Sequence, residues 1–279
     1  MTIASLLKGT TRDEELLLAH VLKKPREYIW SHPEKQVPPA QARTFRGLRV
    51  HVAQGMPLPY LTRSMPFAAL EFTVTPDVLI PRPETELLVE HALTLLKETR
   101  IRHSVVDIGT GSGCIIVSLA HALVRARDRR HMYHAIDIAP PALAVAKRNA
   151  RRHGVASLIT FEQGSLLEPI LDRPHIRARP LLVLANLPYL PNTDISRKQT
   201  QTHADEPRIA LDGGDDGLDL LATLLTQCMA LTRPWSLLAE IDPRQEQKLT
   251  HDLLPYYVPN RHTEIIKDYC GRSRLLSIE

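Results

Sequence analysis

The sequence predicts an α/β fold, a parallel sheet wound with helices and preceded by a small helical domain. From Ser104 onward, short apolar runs alternate with helical patterns, as strands joined by crossover helices do. The first run ends in a loop with glycines at alternate positions, Gly109, Gly111 and Gly113, which opens the apolar stretch Cys114-Ile115-Ile116-Val117. Residues 1 to about 60 instead carry apolar positions at helical spacing. Strands are expected near 104–108, 131–137, 158–163, 181–185, 237–241, 263–267 and 273–278, with helices near 113–126, 140–153, 217–231 and 244–253.

In chain order, Leu16, Leu17, Val21 and Leu22 form one stripe. Ala42, Phe45, Leu48 and Val52 form a second after Pro38-Pro39, and Gly55 ends it. A helical bundle over 1–60 fits, serving either partner recognition or packing. Met56 to Tyr60 is too proline-rich to continue a helix, and Phe67 to Val74 alternates as a strand or hairpin would. Residues 61–83 are therefore a linker, and 84–279 the α/β domain. Pro81 and Pro83 stiffen Thr75 to Glu86 into a wall, with a helix starting at Glu84 or Thr85. Arg82 and Glu84, pinned between prolines, suit either a functional placement or a capping salt bridge.

With 279 residues, 43% hydrophobic and 24% charged, the chain has the make-up of a soluble globular protein. No apolar stretch approaches the ~18–20 residues of a membrane span, and the N-terminus lacks a leader pattern. These features predict a cytoplasmic protein. Cys114, Cys228 and Cys270 are far apart and without metal or redox spacing, so inert thiols are expected. The charge of +4 gathers at Arg125 to Arg130 and Lys147 to Arg152. Without interleaved aromatics these clusters read as solvated helix ends, and direct nucleic-acid binding is not expected. The histidines show no metal-ligand spacing, no G-x-S-x-G elbow is present, and a monomer is the default.

Two segments carry the chemistry. The first is Asp107-Ile-Gly-Thr-Gly-Ser-Gly113, followed on the next strand by Asp137, a carboxylate able to accept from both ribose hydroxyls of a nucleoside cofactor. The second is Asn186-Leu187-Pro188-Tyr189, at the end of the run Leu181 to Ala185. Asn186 Oδ1 and the Leu187 carbonyl can each accept an N–H, Pro188 restricts the backbone, and Tyr189 offers a ring, which suits a planar amide or amine. At the third strand end, Ser165 and Leu166 are the candidate contacts to the base.

The spacing D-x-G-x-G-x-G resembles motif I of class I methyltransferases, which use S-adenosylmethionine and release S-adenosylhomocysteine. This resemblance brings Asp107, Gly109, Thr110, Gly111, Ser112, Gly113, Asp137, Ser165, Leu166 and Asn186 forward as cofactor contacts. Ser165 stands where an acid often meets the adenine amine. With Asn-x-Pro-Tyr on the fourth strand, the chain resembles the amino-methyltransferases. With Pro57 to Leu61, Leu79 to Glu86 and Glu206 to Leu218, it resembles the release factor glutamine methyltransferases (PrmC/HemK family) over nearly its whole length. That resemblance implies a seven-stranded class I methyltransferase (Rossmann-like) sheet and a helical N-terminal domain joined to it by a β-hairpin. It implies N5-methylation of the glutamine in the Gly-Gly-Gln loop of class 1 peptide chain release factors. Asn186, Leu187, Pro188 and Tyr189 would be catalytic, and these four with Arg82 and Glu84 would hold the substrate.

Two departures matter. Leu187 replaces a family proline, and Asn-Leu-Pro-Tyr also resembles the ribosomal RNA adenine dimethyltransferases. Adenine in RNA or DNA, and ribosomal-protein glutamine, are therefore the alternative targets, with a non-catalytic module a third reading. Glu240 to Gln245 departs from the family's Glu-x-Gly and is expected to be peripheral.

Overall fold

A computed structural model describes residues 1–171, 173, 179–198 and 206–279, the side chains of 196–198 excepted. It divides into a unit built on Met1–Ser64 and a larger one built from Met65–Arg197 and Glu206–Glu279. Among the described residues, no helix is long and apolar enough to cross a membrane.

The first unit is helical: α1 Ile3–Leu7, α2 Arg12–Leu22, α3 Arg26–Ser31, α4 Pro39–Ala53 and α5 Leu58–Thr62. At the start of α2, Thr11 Oγ1 accepts from the Glu14 N–H while the Thr11 N–H donates to Glu14 Oε2, which satisfies two end donors at once. Leu17, Leu18, Ile29 and Phe45 are fully buried. Leu18 lies outside the expected stripe, because α2 is covered on two sides, by α3 and α4. The proline-rich stretch does not extend α4, since Gly55 turns the chain at φ +90°. It begins α5 instead: Pro59 sits in the first turn, where a missing N–H costs nothing.

The second unit opens with a hairpin, β1 Met65–Phe67 and β2 Leu70–Phe72, whose turn residues Ala68 and Ala69 both have positive φ (47° and 60°). That is a type I′ turn made without glycine or asparagine. Phe67 and Phe72 insert into the core of this unit. After α6 (Glu86–Glu98) come β3 (Ser104–Ile108), α7 (Cys114–Arg125), β4 (Met132–Asp137), α8 (Pro140–Arg152), β5 (Ile159–Gln163), β6 (Leu181–Ala185), a helix Asp219–Met229, β7 (Trp235–Glu240), β8 (Thr263–Lys267) and β9 (Ser273–Ile278). Among the described residues these seven strands form one sheet in the order β5-β4-β3-β6-β7-β9-β8. The first five run parallel, but β9 pairs antiparallel with both β7 and β8. The few residues between β8 and β9 leave no room for a crossover. The helix expected over 244–253 runs on to Tyr257 through a π-turn at Leu249–Leu253, just before Pro255, which has no N–H to donate.

Side-chain parity along the strands then places the site. Val106, Ile108, Leu181, Val183, Ala185, Leu237 and Ala239 face the layer containing the helix Asp219–Met229. Val105, Leu182, Leu184 and Leu238 face α6 and α7. Continuing the period of two, Asn186 after β6 and Glu240 at the end of β7 point to the α6 side, one position beyond the cross-strand pair Ala185↔Ala239.

Candidate functional site

β3 pairs with β4 on one side and β6 on the other, so the chain reverses its winding beside β3. Ligands in such sheets bind at this switch, outside the carboxyl ends of the strands. An open cavity of about 1090 Å³, solvent at its mouth included, lies there. Its floor is the loop after β3, where Gly109, Gly111 and Gly113 have φ of 66°, 53° and 78°. A Cβ on Gly113 would stand 3.1 Å from that of Ala146, so the third glycine permits the close approach of α7 to α8.

Gly109, Thr110, Gly111 and Ser112 line the cavity, whereas Asp107 and Gly113 do not. Asp107 supports the loop from below. It is fully buried, its Oδ2 accepts from Thr110 Oγ1 at 2.6 Å, and burial pushes its carboxyl up to about 7.

Asp137 lines the cavity with its carboxylate already oriented: Oδ2 accepts from the Gly111 N–H (2.8 Å) and Oδ1 from the Ala139 N–H (2.9 Å). Each oxygen keeps lone-pair capacity for a ligand hydroxyl. Burial, the largest influence, holds its pKa above the ordinary carboxylate value despite those donors. Ser165 and Leu166 also line the cavity, and Leu166 sits at φ 47°, a left-handed conformation that costs a leucine about 1–2 kcal/mol. Its side chain is 6% exposed and packs with Leu167 and Ile170 in the core on that face of the sheet. Ile138, 52% exposed, flanks the same space.

The tetrapeptide is brought to the cavity only in part. Asn186, Leu187 and Pro188 line it, while Tyr189 lines an adjoining hollow with Gly217, Glu240 and Gln245. Tyr189 is half-buried beside Leu190, Ile195, Leu211 and Leu79. Burial first, and the charge of Glu240 second, push its phenol up to about 12.

Asn186 is held by two residues that sequence reading did not assign to it. Its Nδ2 donates to Thr85 Oγ1 at 3.0 Å, and the Thr85 hydroxyl donates to Glu240 Oε2 at 2.6 Å. Asn186 Oδ1 is buried with no partner among the described residues. Glu240 is buried, and its carboxyl is pushed up to about 7 by that burial. The segment Glu240 to Gln245, expected to be peripheral, is thus tied to the site at both ends: Gln245 Nε2 donates to the carbonyls of Gly217 (2.9 Å) and Tyr189 (3.3 Å). Two strand ends of equal parity on neighbouring strands were the available signal.

Arg82 reaches the cavity, and its ion pair is with a distant segment rather than with a helix end. Its Nη2 bonds Glu206 Oε1 and Oε2 at 2.8 and 2.6 Å. This bond clamps the segment before α6 to the segment that begins at Glu206. Glu84 does not line the cavity and lies 3.8 Å from Arg274.

The PrmC N-terminal domain matches residues 6–62, and a methyltransferase domain matches residues 102–173. A release factor glutamine methyltransferase of Moorella thermoacetica is 40% identical over 267 residues, covering 94% of this chain and 88% of the relative. One from Geobacter sulfurreducens is 40% identical over 74% of this chain and 68% of its own length. Among solved structures, the human METTL16 catalytic domain bound to a MAT2A 3′UTR hairpin superposes with a TM-score of 0.55 at 13% identity, over 94% of this chain and 89% of that one. At that identity the likeness is one of fold. The long match to the curated relatives, through both the helical and the sheet regions, shows that this chain belongs to the release factor glutamine methyltransferase family.

Proposed function

We propose that this protein methylates N5 of the glutamine side chain in the Gly-Gly-Gln loop of class 1 peptide chain release factors, in the cytoplasm, with S-adenosylmethionine as donor. The observation that carries the reading is Asn186: its amide nitrogen is engaged by Thr85 while its buried Oδ1 has no partner among the described residues. A buried acceptor left unfilled costs roughly 1–3 kcal/mol, a cost that a substrate N–H removes.

The residues present fit the donor. Asp137, oriented by two main-chain N–H groups, suits the ribose hydroxyls. Leu166 and Ile138 supply apolar faces for a base, and the glycine loop leaves room for close backbone approach. When bound, S-adenosylmethionine supplies an electrophilic sulfonium methyl group and leaves as S-adenosylhomocysteine.

A carboxamide nitrogen is a poor nucleophile because its lone pair is delocalised. Asn186 Oδ1 and the Leu187 carbonyl hold its two N–H groups, so the nitrogen is fixed in one orientation at the cavity. Such positioning can contribute up to about 7–11 kcal/mol. No side chain need remove a proton first, because methylation makes the nitrogen acidic enough to lose one to solvent. Leu187 retains the carbonyl that a proline would offer and gives up only rigidity.

Mass spectrometry of a class 1 release factor, incubated with the protein and S-adenosylmethionine beside a Gly-Gly-Ala variant, tests the reaction. One methyl on the glutamine and none on the control is expected. No methyl on either, with label entering ribosomal RNA, would transfer the assignment to adenine.

A further inference from the structure

We infer that Thr85 and Glu240 are positioning residues that fix which end of the Asn186 side chain meets the substrate. The inference rests on the function proposed above. A threonine hydroxyl has one hydrogen to give. With Glu240 ionised, that hydrogen is committed to Oε2, 2.6 Å away, so toward Asn186, 3.0 Å away, Thr85 Oγ1 can only accept. Only the NH2 end of Asn186 can satisfy it.

The two ends of an asparagine amide are nearly identical in shape, and rotation about χ2 exchanges them. A flipped Asn186 would present N–H donors to a substrate NH2, leaving the Leu187 carbonyl to accept one hydrogen and nothing to accept the other. Chemical direction thus enters at Glu240 in its ionised form, in which it can only accept, and passes through Thr85 to Asn186.

The fold assembles these three groups from distant parts of the chain. Asn186 and Glu240 end neighbouring parallel strands with the same parity, and Thr85 lies at the entry to α6 above them. Burial keeps the arrangement dry, since Thr85 is 1% and Glu240 7% exposed. The charged groups around Glu240 are Arg274, on the partner strand β9, and Arg82, which favour the carboxylate, and Glu84, which opposes it. Tyr189 and Cys114, each pushed up to about 12 by burial first and with Glu240 among the charges that add to it, both stay neutral.

The test uses the full chain and three variants. Thr85→Val keeps the shape without the hydroxyl, Thr85→Ser restores the hydroxyl, and Glu240→Gln keeps the volume but can donate or accept. Three readouts are needed: kcat and KM on the release factor, affinity for S-adenosylhomocysteine by calorimetry, and solvent-exchange protection of the Asn186 side-chain NH2 by NMR in ligand-free protein. Thr85→Val should lower kcat by about tenfold or more, as loss of an outer support of a functional group does, with less than about a twofold change in S-adenosylhomocysteine affinity. Thr85→Ser should stay within about threefold of the parent in kcat. The Asn186 NH2 should lose its protection in Thr85→Val alone among the two threonine variants.

Equal losses in Thr85→Val and Thr85→Ser, or a loss of S-adenosylhomocysteine affinity matching that of kcat, would overturn the inference. So would unchanged NH2 protection. If Thr85→Val does not fold, Glu240→Gln carries the same comparison, with lowered protection and kcat expected and parental values overturning it. If the wild-type protein methylates no release factor, the proposed function fails by itself, and the NMR comparison still decides whether the relay orients Asn186.

Discussion

Replacing Arg82 with alanine isolates the clamp between two walls of the cavity. Its Nη2 bonds both oxygens of Glu206, at 2.8 and 2.6 Å, and the Ile80 N–H adds a contact at 3.3 Å. The Glu206 side chain has no exposure at all, while that of Arg82 retains 30%. Removing one partner of a buried pair costs about 3–5 kcal/mol. Allowing for the exposed part of Arg82, Arg82→Ala should cost about 2–4 kcal/mol. With an m-value of about 3 kcal/mol/M, urea unfolding would then move its midpoint down by roughly 1 M.

The two tryptophans lie in different units, so a Trp30→Phe background lets Trp235 fluorescence follow the sheet unit alone. Arg82→Ala combined with Glu206→Gln should recover most of the loss, since the double variant no longer buries a carboxylate that has lost its guanidinium. A loss below about 0.5 kcal/mol, the value of an exposed pair, or a double variant no better than the single, would refute the clamp.

The hairpin turn is strained by Ala69 at φ 60°, and Ala69→Gly should stabilise the protein by up to about 1 kcal/mol in thermal melts, since glycine takes that conformation freely. Gly217→Ala would bring a Cβ to 2.1 Å from the Tyr189 carbonyl oxygen at φ 81°, whereas Gly9→Ala, at φ 71°, meets nothing. Denaturation should therefore show Gly9→Ala losing only the left-handed cost of about 1–2 kcal/mol and Gly217→Ala clearly more. Glu240 carries a folded pKa raised to about 7 from 4.5, so the fold binds its proton more tightly than the unfolded chain does. Its contribution is complete below pH 4.5 and lost as pH rises to 7, at up to about 1.4 kcal/mol per pH unit. The stability difference between wild type and Glu240→Gln, measured from pH 5 to 8, isolates that slope from the histidines and from Asp107, and a flat difference would refute it.

The strands Ser104–Ile108, Leu181–Ala185, Thr263–Lys267 and Ser273–Ile278 were legible because each is an apolar or alternating run with clear punctuation. The position of the glycine loop and of Asp137 at the cavity was legible because both lie at the ends of strands whose order the alternating pattern predicts. Thr85 and Glu240 were not, because their contact spans 155 positions and exists only once strand order and register are known. Ala68-Ala69 carries none of the residues that announce a type I′ turn. The π-turn at Leu249–Leu253 is likewise invisible to periodicity alone.

The lock around Tyr189 is made largely from main chain. The Tyr189 carbonyl meets Gln245, the Leu190 N–H meets the Leu211 carbonyl, the Gly213 N–H meets the Leu190 carbonyl, and the Asn192 N–H meets the Gly214 carbonyl. Bonds of that kind do not register which side chain a position carries. Side-chain changes at Leu190, Asn192 or Leu211 would therefore leave these bonds available, whereas Gly213 and Gly217, where a Cβ would meet the main chain of residues 188 and 189, bear the close approach itself. Tolerance and constraint then occupy neighbouring positions: the Gln245 side chain holds one side of the lock, and peptide groups hold the rest.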